Sequence, residues 1–167
     1  MKVFITGGTG FVGSTVVQAL LGRDHEVTVL TRSAPRGQPQ TSRVAYVEGD
    51  PRLAGKWQEG LAEQDGVINL AGASIFCRWT RANKRTIRES RIETTRNVVK
   101  GLSGRKGQET VLISASGTGY YGFRDEEGVG EDASAGSDFL AVLSQEWEAE
   151  AQKAEQYGVR VALCRLG

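Results

Sequence analysis

The apolar run Val3-Phe4-Ile5 leads into Gly7-Gly8-Thr9-Gly10-Phe11-Val12-Gly13, which leads in turn into Val16-Val17-Gln18-Ala19-Leu20-Leu21. A run of β-branched and aromatic residues, a cluster of glycines and apolar residues at helical spacing spell a strand, a tight turn and a helix. Gly8, Gly10 and Gly13 fit G-x-G-x-x-G, and Gly7, Gly10 and Gly13 fit the looser G-x-x-G-x-x-G. In such a turn one glycine permits the bend, another lets backbone amides approach an anion with no Cβ in the way, and another lets the helix lie close on the strand. The helix start adds free N–H groups and a positive dipole end. The whole stretch, with Thr9, Phe11 and Val12 inside it, is a candidate cradle for the pyrophosphate of a dinucleotide. The alternative is a glycine-rich turn that binds nothing.

A chain of 167 residues is long enough for one domain with a substantial core and short for a second. With 39% hydrophobic and 25% charged residues and 22 glycines, the composition is that of a globular α/β protein rather than a disordered or fibrous one. No apolar run approaches the ~20 residues of a membrane span. Met1-Lys2 runs straight into the first strand, so no signal peptide and a cytoplasmic location are expected. Cys77 and Cys164 stand apart and His25 is the single histidine, which suggests neither a disulfide framework nor a metal site and removes a Ser-His-Asp triad. From Arg78 to Lys106 ten Lys or Arg face only Glu89 and Glu93, while from Phe123 to Tyr157 ten Asp or Glu face only Arg124 and Lys153. Mutual neutralisation of neighbouring helices, or solvated faces, is a more ordinary reading of these blocks than nucleic-acid binding.

After the first helix, Glu26-Val27-Thr28-Val29-Leu30 reads as a second strand. A fold that prefers NAD places Asp or Glu about 20 residues past the glycines, to hold the ribose 2′-hydroxyl. Here stand Thr31-Arg32-Ser33. With no carboxylate to repel a 2′-phosphate, and a guanidinium and hydroxyls able to bind one, NADP is expected over NAD, the alternative being a plain surface arginine. Residues 33 to 40 read as a loop, and Val44-Ala45-Tyr46-Val47-Glu48 as a third strand. Asp50 just beyond it is either a partner for an adenine amino group or a turn-forming aspartate. Gly66-Val67-Ile68-Asn69-Leu70 is the fourth strand, and Leu70, Ala71 and Gly72 at its end let backbone pass beside a bound ribose.

Ile87, Arg91, Thr94, Val98 and Leu102, with Thr95 and Val99 beside them, mark a long amphipathic helix between Thr80 and Leu102. Arg78-Trp79 before it either reaches a ligand or pins the loop by stacking. Val111-Leu112-Ile113-Ser114-Ala115-Ser116 is a fifth strand that opens into Gly117-Thr118-Gly119-Tyr120-Tyr121-Gly122. Ser137 or Asp138 caps a helix running to Tyr157, with Phe139, Leu140, Leu143, Trp147, Ala151 and Ala154 on its apolar face, and Val159 to Cys164 is the sixth strand. Strands alternating with helical segments predict a doubly wound parallel sheet, the three-layer Rossmann fold, with six strands in the order 3-2-1-4-5-6.

Ile5 to Gly13, Asn69-Leu70-Ala71-Gly72, Arg78-Trp79-Thr80, Glu89 to Thr95, Gly119-Tyr120-Tyr121-Gly122, Asp138-Phe139-Leu140 and Trp147-Glu148 together resemble the atypical extended short-chain dehydrogenase/reductases of the NAD-dependent epimerase/dehydratase superfamily. Within it they are similar to the 39U subfamily and its bacterial sugar-nucleotide epimerase group. The resemblance covers essentially the whole chain. It implies a Ser or Thr near the end of the fifth strand, matched by Ser116 or Ser114, and a Tyr-x-x-x-Lys at the start of the next helix. That helix begins Phe139-Leu140-Ala141-Val142-Leu143, without either residue. Tyr120 or Tyr121 is then the candidate proton donor, with packing or loop stacking as the alternative for both.

Relatives of this kind continue into a further substrate-binding region, so residues 1–167 are expected to be the NADP-binding domain alone. Two functions follow. One is an NADP-dependent oxidoreductase or epimerase acting on a small carbonyl or nucleotide-sugar substrate, with Ser116 orienting the carbonyl oxygen. The other is a non-catalytic NADP(H)-binding redox sensor or regulatory protein. The resemblance also raises a homodimer paired through the helices after the fourth and fifth strands.

Overall fold

A computed structural model describes residues 1–33, 43–104, 109–124 and 128–167. Most of the expected loop at 33–40, the basic Arg105 and Lys106 and the acidic Asp125, Glu126 and Glu127 lie outside the described residues. The strands β1 (Lys2–Thr6), β2 (Glu26–Thr31), β3 (Val44–Glu48), β4 (Gly66–Asn69), β5 (Val111–Gly117) and β6 (Arg160–Leu166) form one six-stranded sheet in the order β3-β2-β1-β4-β5-β6. Every pairing is parallel, with Ile5 opposite both Val29 and Ile68 and Ile113 opposite Ile68 and Ala162. The order agrees with the reading of the sequence. It places a topological switch point between β1 and β4, where a crevice opens at the carboxyl ends of the strands.

Period-2 alternation sends neighbouring β1 side chains to opposite faces. Val3 and Ile5 pack with Val17 of α1 (Phe11–Leu21) and with Val27 and Val29. Phe4 packs on the other face with Val98, Val99 and Leu102 of α2 (Arg81–Leu102) and Ala151 of α3 (Phe139–Gln152). Helices on both faces complete three layers. A strand covered on both sides reads as the continuous apolar run seen at its start.

A buried polar chain ties the layers beneath the switch point. Thr6 Oγ1 donates to Asn69 Oδ1 at 2.7 Å, and Asn69 Nδ2 and Trp147 Nε1 each donate to Thr95 Oγ1 at 2.8 Å. One hydroxyl on α2 thereby receives β4 and α3, and no member of the chain is left unpaired in the core.

The structure refines several boundaries. The last residues of the glycine stretch, Phe11 to Gly13, already form the first turn of α1. Asp138, not Ser137, caps α3, its Oδ1 accepting from Leu140 N at 2.8 Å and Ala141 N at 3.0 Å. The helix expected to reach Tyr157 ends at Gln152 and tightens into a 3₁₀ turn, Lys153–Tyr157, before Gly158 at φ 72°. The basic and acidic blocks meet across the helix pair: Arg88 lies 2.8 Å from Glu146, and Arg96 lies 3.3 Å from Glu150. Among the described residues no helix is long and apolar enough to cross a membrane.

Removing the α3 cap leaves two first-turn amides without their acceptor. Asp138→Ala is expected to cost about 1 kcal/mol and to lower the thermal midpoint by about 2–4 °C, read by circular dichroism.

Candidate functional site

Gly7 adopts φ +72°, and a Cβ there would lie 2.8 Å from Ala71 N and the Leu70 carbonyl carbon. At Gly13 a Cβ would stand 2.1 Å from Gly7 O. Only glycine at both positions lets the β1 turn, the start of α1 and the end of β4 close on one another. Gly8 is buried against Val29. Gly10 caps α1 without any side-chain acceptor. No side chain caps the first-turn amides, which leaves them available to an anion. Phe11 is 95% exposed and Val12 43%, so their side chains add no wall to the cleft.

Beside this turn runs a cleft of about 460 Å³, within the size range of small-molecule sites. Of the residues singled out in the sequence, Gly7, Thr9, Gly10, Thr31, Arg32, Ser33, Asp50, Leu70, Ala71 and Gly72 line it. Gly8, Phe11, Val12 and Gly13 do not. Thr31 Oγ1 donates to Ser33 O at 2.9 Å and folds the β2 end back on itself, while Arg32 is exposed and makes no ion pair among the described residues. Asp50 is engaged by its own turn: its Oδ1 accepts from Arg52 N at 2.9 Å, and the Arg52 guanidinium spans both oxygens. Hydrogen bonding by Arg52, opposed by partial burial and helped by the charges of Arg52 and Arg32, holds the Asp50 carboxyl below its ordinary range.

The far wall is supplied by α2, through Thr86, Ser90 and Thr94. Ser90 Oγ accepts from Ala73 N at 2.9 Å, and Arg91 Nη1 donates to Ala73 O at 3.1 Å, so the segment after β4 is held from both its backbone groups. Arg91 lies over the Trp147 ring at 5.2 Å, and burial lowers its pKa. Thr94 is fully buried, and its hydroxyl has no partner among the described residues. An orphaned buried hydroxyl on the wall of a cleft is a group a ligand atom could satisfy. Hydroxyls at i, i+4 and i+8 share a helix face; that spacing was present in the sequence, but Thr94 reads there as part of an apolar stripe.

Ser116, Tyr120 and Tyr121 form a separate cluster and do not line the cleft. The hydroxyl of buried Ser116 donates to Glu148 Oε1 at 2.6 Å. Arg165 grips the same carboxylate with Nε at 2.8 Å from Oε1 and Nη2 at 2.9 Å from Oε2. Its Nη1 donates to Tyr121 Oη at 2.7 Å, and its guanidinium covers the Tyr120 ring at 3.6 Å. Tyr120 Oη has no hydrogen bond among the described residues. Ser114 Oγ, fully buried, accepts from Asn69 Nδ2 at 3.5 Å. Trp79 pins the loop before α2: its Nε1 donates to Ile75 O at 3.0 Å and its ring meets Phe139 edge-on at 5.5 Å. Glu148, quoted in the sequence only within Trp147-Glu148, and Arg165 show no role there, because each finds its partners only after β5, α3 and β6 assemble.

The cleft thus brings together the glycine turn, Arg32, Arg52 and the unpaired Thr94 hydroxyl. A model of the NAD dependent epimerase/dehydratase family matches residues 3–167. The chloroplastic epimerase family protein SDR39U1 homolog of Arabidopsis thaliana is 37% identical over 173 residues, covering 100% of this chain and 48% of that protein. The crystal structure of human epimerase family protein SDR39U1 (isoform 2) with NADPH superposes with a TM-score of 0.75 at 27% identity, over 99% of this chain and 53% of that one. The nucleoside-diphosphate sugar epimerase of Corynebacterium glutamicum gives a TM-score of 0.78 at 32% identity, over 99% of this chain and 33% of that one. The chain spans about half the length of the curated relatives it matches.

Burial alone raises the Glu148 carboxyl, but hydrogen bonds from Arg165 and Ser116 and the Arg165 charge together hold it below the ordinary glutamate range. A depressed folded-state pKa contributes stability above the unfolded value of about 4.3, and that stability is lost as pH falls through the folded value. Glu148→Gln should therefore lose stability at neutral pH and flatten the acid limb of the urea-unfolding profile below about pH 4.3. Glu148→Ala, which leaves the part-exposed Arg165 with Tyr121 and Glu131 O as partners, is expected to cost about 1–3 kcal/mol.

Proposed function

The chain belongs to the NAD-dependent epimerase/dehydratase family, and on that premise we propose that residues 1–167 bind NADP(H) in the cleft for an oxidoreductase- or epimerase-type reaction on a small carbonyl or nucleotide-sugar substrate. The observation that carries this reading is the contact of Gly13 with Gly7, where a Cβ would fall 2.1 Å from a carbonyl oxygen. That closeness turns the first amides of α1 toward the cleft. The amides at the start of α1 hold the pyrophosphate, the Gly10 amide being spent on Gly7 O at 3.0 Å; Arg32 and Ser33 take the ribose 2′-phosphate, and Asp50 faces the adenine. Leu70, Ala71 and Gly72 pass beside the second ribose, and the Thr94 hydroxyl completes the wall. The absence of a carboxylate among Thr31-Arg32-Ser33 favours NADP(H) over NAD(H), and the human relative was solved with NADPH. When bound, the cofactor supplies a hydride donor or acceptor.

Among this chain's own groups, Tyr120 is the better proton donor. Its hydroxyl is without a partner among the described residues, whereas that of Tyr121 accepts from Arg165. Ser116 must release Glu148 to orient a carbonyl oxygen. That engagement, together with Phe139 and Leu143 where the family's Tyr and Lys are expected, favours a second reading in which the cofactor is bound without turnover, as in a redox sensor. Pairing of two copies through α2 and α3 belongs to the same proposal.

Calorimetric titration should show NADP⁺ binding about ten- to hundredfold more tightly than NAD⁺, and Arg32→Ala should remove the gap. Equal affinities in the parent would contradict the assignment. If the protein turns over, NADPH is consumed with a carbonyl or sugar-nucleotide substrate and Tyr120→Phe slows the reaction by about 10²-fold or more. NADPH left unoxidised across a broad panel supports the second reading.

A further inference from the structure

Asp50 is the only carboxylate among the described residues lining the cleft, and it stands close enough to Arg32 to feel its charge. An exposed carboxylate there would oppose a phosphate held by Arg32, because like charges a few ångströms apart weaken each other's binding. Arg52 changes that balance. Its Nε lies 3.1 Å from both Asp50 oxygens, its Nη2 lies 2.6 Å from Oδ2, and its backbone N–H donates to Oδ1 at 2.9 Å. Leu53 N closes the same turn on Asp50 O at 2.9 Å. The fork holds the carboxylate from within its own turn, and Arg52 itself lines the cleft with Nη1 unbonded among the described residues. Among the described lining residues Arg32 and Arg52 stand against Asp50, and Glu89, which also acts on Arg52, is itself paired with Arg85 at 3.0 Å.

Resting on the NADP(H) reading, we propose that Arg52 determines cofactor specificity by clamping Asp50, so that the end of the cleft between Arg32 and Arg52 accepts a ribose 2′-phosphate. Arg52 acts as a specificity-determining residue and takes no part in the chemistry. A pair that merely closed the turn would affect both dinucleotides alike.

The test is titration of the full chain with NADP⁺ and NAD⁺ in the parent, Arg52→Ala, Arg52→Lys and the double variant Asp50→Asn with Arg52→Ala. Arg52→Ala should weaken NADP⁺ about tenfold or more while leaving NAD⁺ nearly unchanged. Arg52→Lys, which keeps the charge and loses the fork, should fall between. Removing the unshielded carboxylate in the double variant should recover most of the NADP⁺ affinity. Equal weakening of both dinucleotides, no change in either, or no recovery in the double variant would overturn the inference. If Arg32→Ala abolishes the preference and Arg52→Ala does not, only this inference falls; if the parent binds neither dinucleotide, the NADP(H) reading falls with it.

Discussion

The closest approach in the molecule that matters for function is that of Gly13 to the carbonyl of Gly7, where a Cβ would lie 2.1 Å from the oxygen. This contact sets how near α1 can lie to the end of β1, and so where its first amides point. Gly7, at φ +72° and pressed against the Leu70–Ala71 peptide, passes the constraint on to β4. The buried chain from Thr6 through Asn69 and Thr95 to Trp147 then fixes β4 to α2 and α3. Cradle, cleft wall and helix pair are positioned by one continuous set of contacts.

The strand ends carry two charge systems with different roles. Around the cleft, Arg32 and Arg52 outnumber Asp50, the arrangement an anionic ligand needs. Beneath β5 and β6, Glu148 and Arg165 are matched to each other and to Ser116 and Tyr121, the arrangement a buried ion pair needs to offset its desolvation. A balanced pair of this kind holds strands together. It also occupies the Ser116 hydroxyl, so packing of β5 and β6 on α3 and any use of that hydroxyl in catalysis compete for the same group.

Much of this was legible in the sequence because it is local. The β1 run, the glycines and the α1 face share a dozen residues, and strand order follows from the rule that parallel crossovers are right-handed. The opposite charge blocks left open either pairing of neighbouring helices or solvated faces, and Arg88 with Glu146 and Arg96 with Glu150 make the pairing. Other features depended on tertiary structure. That Phe11 and Val12 lie in the first turn of α1 with exposed side chains depends on where α1 starts. Thr94 looks like one member of a stripe until the cleft opens beside it. Glu148 meets Ser116 and Arg165 only across two strands and a helix. Asp138 over Ser137 as the cap was decided by which carboxylate or hydroxyl reaches the amides of residues 140 and 141.

The central claim is that the glycine cradle and the cleft beside it are the dinucleotide site. It is tested most directly by following the backbone amide signals of the isotope-labelled protein during titration with NADP⁺. The account predicts that the largest shifts fall on residues 7–13, 31–33 and 70–73 and on Thr94, with little change at Ser116 or along β6. Saturating NADP⁺ that leaves those signals in place, or moves only signals elsewhere, would contradict it.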